Sequence, residues 1–281
     1  MIVAILQARM SSTRLPGKVL KPLLGQPMLG RQLERIQSSH LIDRLVVATS
    51  TDPSDDAIER FCRRSVQMKN FTLYRGSLDD VLDRYYQAAK LQAAKLYPAT
   101  HIVRLTGDCP LADAEVIDAV IVKHLDSGAD YTSNCRPPTL PDGLDVEVIS
   151  AAALSRVWQC AQLPSEREHV TRYIVTHPQD FNIALYRHRK DYSHIRLTVD
   201  CPEDFQLVKK IYAELYQKNP TFKLQDVLDL LEKHRDWLRI NAHLQRNAGI
   251  GSALQKDLAE GLGAQGDTND ATSGSESHGA E

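Results

Sequence analysis

The sequence has no run of the roughly 18 to 20 apolar residues that a helical bilayer span needs, and its apolar start, MIVAIL, has neither the basic flank nor the cleavage site of a secretory signal. A cytoplasmic protein with no membrane partner is the expectation. Cysteine is scarce and unpatterned. Cys62, Cys109, Cys135, Cys160 and Cys201 form an odd set with no Cys-x-x-Cys, which argues against a disulfide framework and a zinc knuckle and leaves reduced thiols. Neither sign of charge dominates: 34 Lys and Arg stand against 36 Asp and Glu, a formal net charge of -2. That balance excludes a general nucleic-acid or membrane-surface binder, so any cationic function must be local. The chain also lacks the G-x-x-x-x-G-K-[ST] loop of Walker-type ATPases and any repeat of solenoid length.

What is present is an alternation. Short apolar runs at 2–6, 44–49, 71–75, 100–106 and 129–134 read as strands, and stretches with apolar residues three and four apart lie between them. This is the pattern of β-α units, hence an α/β fold with a mostly parallel sheet. In SDDAIE, Ser54 is placed to cap a helix, with Asp55 and Asp56 facing the positive end of its dipole. Three prolines in CRPPTLPDGLDVEVIS predict a shaped loop over the sheet edge before a strand at 144–149. Helices at 150–160 and 165–177, strands in FNIALYRH and HIRLTV, and helices from Pro202 and Leu224 follow. A 281-residue chain accommodates one large domain with an appendage. The expected layout is a domain over 1–240, a helical extension over 241–261 and a disordered tail over 262–281, where apolar residues almost vanish.

Four stretches carry possible chemistry. After the first strand, LQARMSSTRLPGK sets Arg9, Arg14 and Lys18 around three hydroxyl residues and a Pro-Gly turn, at the edge where open α/β sheets place ligands. The loop is either a solvated basic turn or a polyanion site, with backbone N–H groups and hydroxyls as further phosphate donors. The tripeptide Asp-Cys-Pro occurs twice, ending apolar runs at Asp108 and Asp200. Each aspartate alone could be a turn or cap residue. Together at one edge of a sheet, two carboxylates repel unless a hard cation such as Mg²⁺ lies between them, completed by substrate phosphates. Cys109 and Cys201 read as packing residues rather than ligands. In YRGSLDDVLDRYY, Arg75, Gly76 and Ser77 either open an ordinary helix or line a nucleoside pocket, with Asp83 and Arg84 ordering its wall. Last, Asp142, Asp145, Glu147, Arg167 and His169 form a mixed-charge set suited to a hydroxylated or charged acceptor, or else a set of surface ion pairs.

QARMSSTRLPGKVLKPLLGQPML, VVATSTDPSDDAI, RGSLDDVLDRYYQAA, RLTGDCPL, PDGLDVEV, PSEREHVT and TVDCPEDF, in that order over about residues 1–240, resemble the cytidylyltransferases of spore coat polysaccharide biosynthesis, relatives of the CMP-KDO and CMP-acylneuraminate synthetases. The resemblance implies a Rossmann-like sheet of the nucleotide-diphospho-sugar transferase (glycosyltransferase-A) type. It further implies a Mg²⁺-dependent homodimer that joins CTP to a small-molecule acceptor in activated-sugar synthesis and releases pyrophosphate. By position it assigns the triphosphate to Arg9, Arg14 and Lys18, the metal to Asp108 and Asp200, and base and ribose contacts to Leu6, Ala8, Thr49, Ser50 and Ser77. Arg9, Lys18, Asp108 and Asp200 are then the catalytic set. A glycosyltransferase that consumes a nucleotide sugar on the same fold, or a non-catalytic nucleotide-binding coat protein, are the alternatives.

Overall fold

The computed structural model describes residues 1–64, 70–93, 98–246 and 250–259. In chain order the elements are β1 (Ile2–Gln7), a small hairpin of β2 (Pro22–Leu23) and β3 (Gln26–Pro27), α1 (Met28–Ile36), β4 (Arg44–Ser50), α2 (Asp56–Arg64), β5 (Phe71–Gly76), α3 (Val81–Ala93), β6 (His101–Thr106) and α4 (Ala114–Ser127). Then come β7 (Tyr131–Ser133), β8 (Glu147–Ser150), α5 (Ala151–Cys160), α6 (Pro164–Glu168), α7 (Arg172–Thr176), β9 (Ile183–Leu185), α8 (Pro202–Leu215), α9 (Leu224–Lys233) and α10 (Ile250–Ala259).

Seven strands form one sheet in the order β5-β4-β1-β6-β8-β7-β9, and only β8 runs against the others. The apolar continuity of β1 follows from burial on both faces. Ala4 and Leu6 pack into one core with α1, α4, α8 and α9, while Val3 and Ile5 pack into the other with α3 and α5. Because the chain leaves β1 for β4 on one side and later returns to β6 on the other, the order reverses between β1 and β6. The carboxyl ends of these two strands therefore open a crevice, the place where such sheets bind ligands.

Several elements differ from the sequence expectation. HIRLTV is not a strand: it is extended chain with one bridge, Asp142 to Arg196, because it has a partner at Asp142 and at Asp108 but not along its length. The helix expected over 165–177 is two short ones, α6 and α7, parted at residues 169–171. Ser54 does not cap α2. Asp52 caps the turn before it, and Asp55 points inward. The segment expected as a tail, 262–281, lies outside the described residues.

Candidate active site

Residues 8–18 double back after β1 because Ser12 and Gly17 both donate their N–H groups to the Met10 carbonyl, at 2.9 and 3.1 Å. Gly17 makes the return in the left-handed region at φ 66°. The loop is anchored by Asp55, which is fully buried and accepts from Met10 N at 2.7 Å. The same carboxylate takes the hydroxyls of Thr49 and Ser50. Those two side chains are thus committed to holding the loop.

Across the crevice, Gly107 and Asp108 follow β6. Gly107 N donates to the Gln7 carbonyl at 2.8 Å, which pins the two loops together. Asp200 arrives on the chain before α8, where Val199 N donates to the Asp108 carbonyl at 2.7 Å. The two Asp-Cys-Pro aspartates therefore meet, and by loop pairing rather than as neighbouring strand ends. Between them sits Lys18: its Nζ donates to Asp108 Oδ2 at 3.1 Å, to Asp200 Oδ1 at 2.8 Å and to the Val199 carbonyl at 2.9 Å. Arg14 and Arg196 reach the other oxygen of Asp200, each at 3.1 Å. Burial alone would push the Asp108 carboxyl up, but the Lys18 ammonium holds it well below the usual carboxylate range. Lys18 is in turn raised by the two carboxylates against the opposing effect of burial.

Two cavities meet here. One, of about 270 Å³, is walled by Ala8, Arg9, Ser11 to Arg14, Lys18, Arg84 and Gly107. The other, of about 250 Å³, is walled by five arginines, Arg14, Arg104, Arg136, Arg172 and Arg246, and by the carboxylates of Asp142, Asp145 and Glu147. Arg14, Thr106, Asp108, His169 and Asp200 belong to both. A cation-rich, hydroxyl-lined chamber thus shares a carboxylate wall with a chamber of mixed charge.

In the mixed chamber the acids are held by arginines from distant parts of the chain. Arg196 binds Asp142 at 2.9 Å and clamps Asp204 with two bonds. Asp204 also accepts from the N–H groups of Asp200 and Cys201, so it fixes the turn that presents Asp200. Arg246 reaches Asp145, whose carboxyl burial pushes up to about 7 despite that guanidinium. Burial also works against ionisation of Glu147, yet Arg104 and the Tyr131 hydroxyl hold it below the usual range. His169 is lowered by burial and then by Arg104, and its Nε2 is buried without a partner among the described residues. Close approach is required at Gly143 too, where φ is +102° and a Cβ would lie 2.5 Å from Thr198 N.

Of the residues singled out in the sequence, Ala8, Arg9, Arg14, Lys18, Asp108 and Asp200 line the first cavity, and Asp142, Asp145, Glu147 and His169 line the second. Leu6, Thr49, Ser50, Arg75, Gly76, Ser77, Asp83 and Arg167 line neither. Leu6 is buried in the core. Thr49 and Ser50 bond to Asp55, and Ser77 Oγ accepts from Asp80 N at 3.0 Å at the start of α3. Arg167 turns away to Asp80 and to the Trp158 carbonyl, tying α6 to α3 and α5. Arg75 is a similar tie, bound to the Ser50 carbonyl and to Asp56. Sequence reasoning missed Asp55, Arg104, Arg136, Arg172, Arg196 and Arg246. Only Arg196, four residues before Asp200, left a local signal.

The family model described as cytidylyltransferase matches residues 3–232. The chain belongs to the cytidylyltransferase family. It is 35% identical over 242 residues to the spore coat polysaccharide biosynthesis protein SpsF of Bacillus subtilis, covering 84% of this chain and 95% of that protein. A 3-deoxy-manno-octulosonate cytidylyltransferase of Hydrogenovibrio crunogenus is 30% identical over 196 residues, 69% of this chain and 74% of its own. Among solved structures, a cytidylyltransferase of Leptospira borgpetersenii superposes with a TM-score of 0.78 at 31% identity, covering 84% of this chain and 96% of that one. The fold is thus that of a cytidylyltransferase, and the paired cavities lie almost wholly within the matched region. Arg246 is the exception, since it follows the last matched residue.

Proposed function

We propose that the protein couples CTP to a sugar acid, sugar phosphate or related small-molecule acceptor, with release of pyrophosphate, in the synthesis of an activated sugar for surface polysaccharide. The observation that carries this reading is the meeting of two chemically different cavities at Asp108 and Asp200. Nucleotidyl transfer needs such an arrangement, because the acceptor oxygen must reach the α-phosphorus in line with the departing pyrophosphate. The relatives named for polysaccharide synthesis and for 3-deoxy-manno-octulosonate support a sugar acceptor.

The donor set suits Mg²⁺. Both carboxylates lie within hydrogen-bond distance of one cationic atom, Lys18 Nζ, so a single position between them serves a cation. Among the described residues no group of three or more His, Cys, Asp or Glu is arranged to hold a metal ion by itself, so substrate phosphates would have to complete the coordination of an ion at Asp108 and Asp200. Bound there, Mg²⁺ would neutralise phosphate charge. The protein supplies the remainder by positioning. Arg9, Arg14 and Lys18 bind the triphosphate and hold the leaving group's charge in a partly dry cleft, where such donors are strongest. Asp142 and Asp145, kept in place by Arg196 and Arg246, accept hydrogen bonds from acceptor hydroxyls. A homodimer belongs to this reading and is checked by light scattering.

The test is pyrophosphate release from each of the four nucleoside triphosphates with Mg²⁺ and a panel of sugar acids and sugar phosphates. CTP should be the substrate, and an Asp108→Asn, Asp200→Asn double variant should lose at least about 10³-fold in turnover. Unchanged release in that variant would remove the two aspartates from the mechanism, and release from a nucleotide sugar but not from CTP would replace the reading with glycosyl transfer.

A further inference from the structure

Lys18 spends all three of its ammonium protons on Asp108, Asp200 and the Val199 carbonyl, and it is 8% exposed. Asp200 also meets Arg14 and Arg196, so the two carboxylates face three cations. Arg196 is shared with Asp142 and Asp204, so Lys18 and Arg14 are the cations that balance the pair, and a free divalent ion approaching it meets carboxylates whose charge is already compensated. To reach the carboxylates it must evict Lys18 and leave a buried ammonium without its counter-charges, which is strongly unfavourable.

A triphosphate changes that balance. The same cavity wall holds Lys18, Arg14 and Arg9, so phosphate oxygens there offer Lys18 and Arg14 new acceptors without moving either out of the site. Arg14 is free to make the exchange, since its side chain is 41% exposed. Arg196 is not, because Asp142 and Asp204 hold it from both sides. The three cations thus divide into two that can follow a nucleotide and one that stays with the carboxylates.

We propose that Lys18 is an internal counter-ion which closes Asp108 and Asp200 to free divalent cations and releases them when a triphosphate arrives, so that metal and nucleotide enter together. The proposal rests on the Mg²⁺ reading above and adds an order to it. By linkage, the same exchange makes divalent cation and CTP bind with positive coupling.

Binding of Mn²⁺ alone to the full chain, followed by electron paramagnetic resonance with and without CTP, tests this. Wild-type protein should bind Mn²⁺ weakly alone and strongly with CTP. Lys18→Met should bind Mn²⁺ alone at least about tenfold tighter than wild type and lose most of the coupling, an effect within the ordinary range for linked sites. Arg14→Ala, at an exposed position, should tighten Mn²⁺ in the same direction by a smaller factor, and it decides the matter if Lys18→Met does not fold. The proposal falls if neither substitution tightens Mn²⁺, or if wild-type protein binds Mn²⁺ as well without CTP as with it. Absence of Mn²⁺ binding in every protein, with CTP present, would instead retire the metal assignment and the counter-ion role with it.

Discussion

A methyl group on Gly107 would stand 2.8 Å from the carbonyl oxygen of Gln7, a backbone atom fixed in the central strand pair. Neither that oxygen nor the Ala8 Cβ, which would be 3.2 Å away, can yield cheaply, so Gly107→Ala should destabilise the fold by about 1 to 3 kcal/mol and weaken CTP binding, measured by urea unfolding and calorimetry. Unchanged CTP affinity would show that Asp108 does not depend on this contact. At Arg246 a different loss is expected. Without it Asp145 keeps its burial but loses its counter-charge, so Arg246→Ala should raise the acceptor KM about tenfold, equivalent to about 1.4 kcal/mol, with CTP affinity unchanged. Arg246→Lys should recover part of it in the same steady-state assay. These residues also show where the sequence was legible. Arg9, Arg14 and Lys18 stand within ten residues, so one loop had to bring them together. Arg246 meets Asp145 across 101 residues, and no local pattern records that. Arg167 fails for the opposite reason: its sequence neighbours were informative, but the direction of its side chain was not.

Among elements, the strands buried on both faces were the most legible, because apolar continuity has few other causes. HIRLTV has the same composition as a strand and is not one, since a ladder needs a partner along its whole length. The join of β6, α4 and β7 carries a feature with a measurable consequence. His124 on α4 is 1% exposed and lies between His101 Nδ1 at 3.1 Å and Thr132 Oγ1 at 2.9 Å. Burial and then His101 lower it to about 4 from an ordinary value of 6.5, with Asp130 opposing, and His101 is itself lowered by burial. The unfolded chain therefore takes up this proton more readily than the folded one. The stability tied to a neutral His124 is present above about pH 6.5 and is lost as pH falls toward 4, up to about 3 kcal/mol at 1.4 kcal/mol per pH unit. Urea midpoints measured from pH 7 to 4 should fall more steeply for wild type than for His124→Gln. Parallel curves would place the acid sensitivity elsewhere.

For the molecule as a whole, the alternation of strand and helix was enough to place the opening loop at the carboxyl edge of the sheet, whereas the repeated Asp-Cys-Pro suggested the pairing of Asp108 with Asp200 through two strand ends and the structure makes it through loop contacts. The division of the crevice was not legible, because its second chamber is assembled from the ends of β6 and β8, the loop between β7 and β8, residues 169–172 and the chain after α9. The C-terminal chain also returns to the site's rim, where Asp257 of α10 accepts from Ser165 N at 2.8 Å and Lys256 pairs with Glu168 at 3.0 Å. The wall shared by the two cavities has a kinetic consequence under the proposed reaction. Pyrophosphate departs from the first chamber alone, whereas the activated sugar fills both and is held at each end. Product-inhibition kinetics should therefore be unequal: pyrophosphate should compete with CTP and leave the acceptor's binding intact, while the activated sugar should exclude both substrates at once. The last product to leave would be the one that remembers both chambers, and a cell that stops consuming it would find the enzyme already slowed.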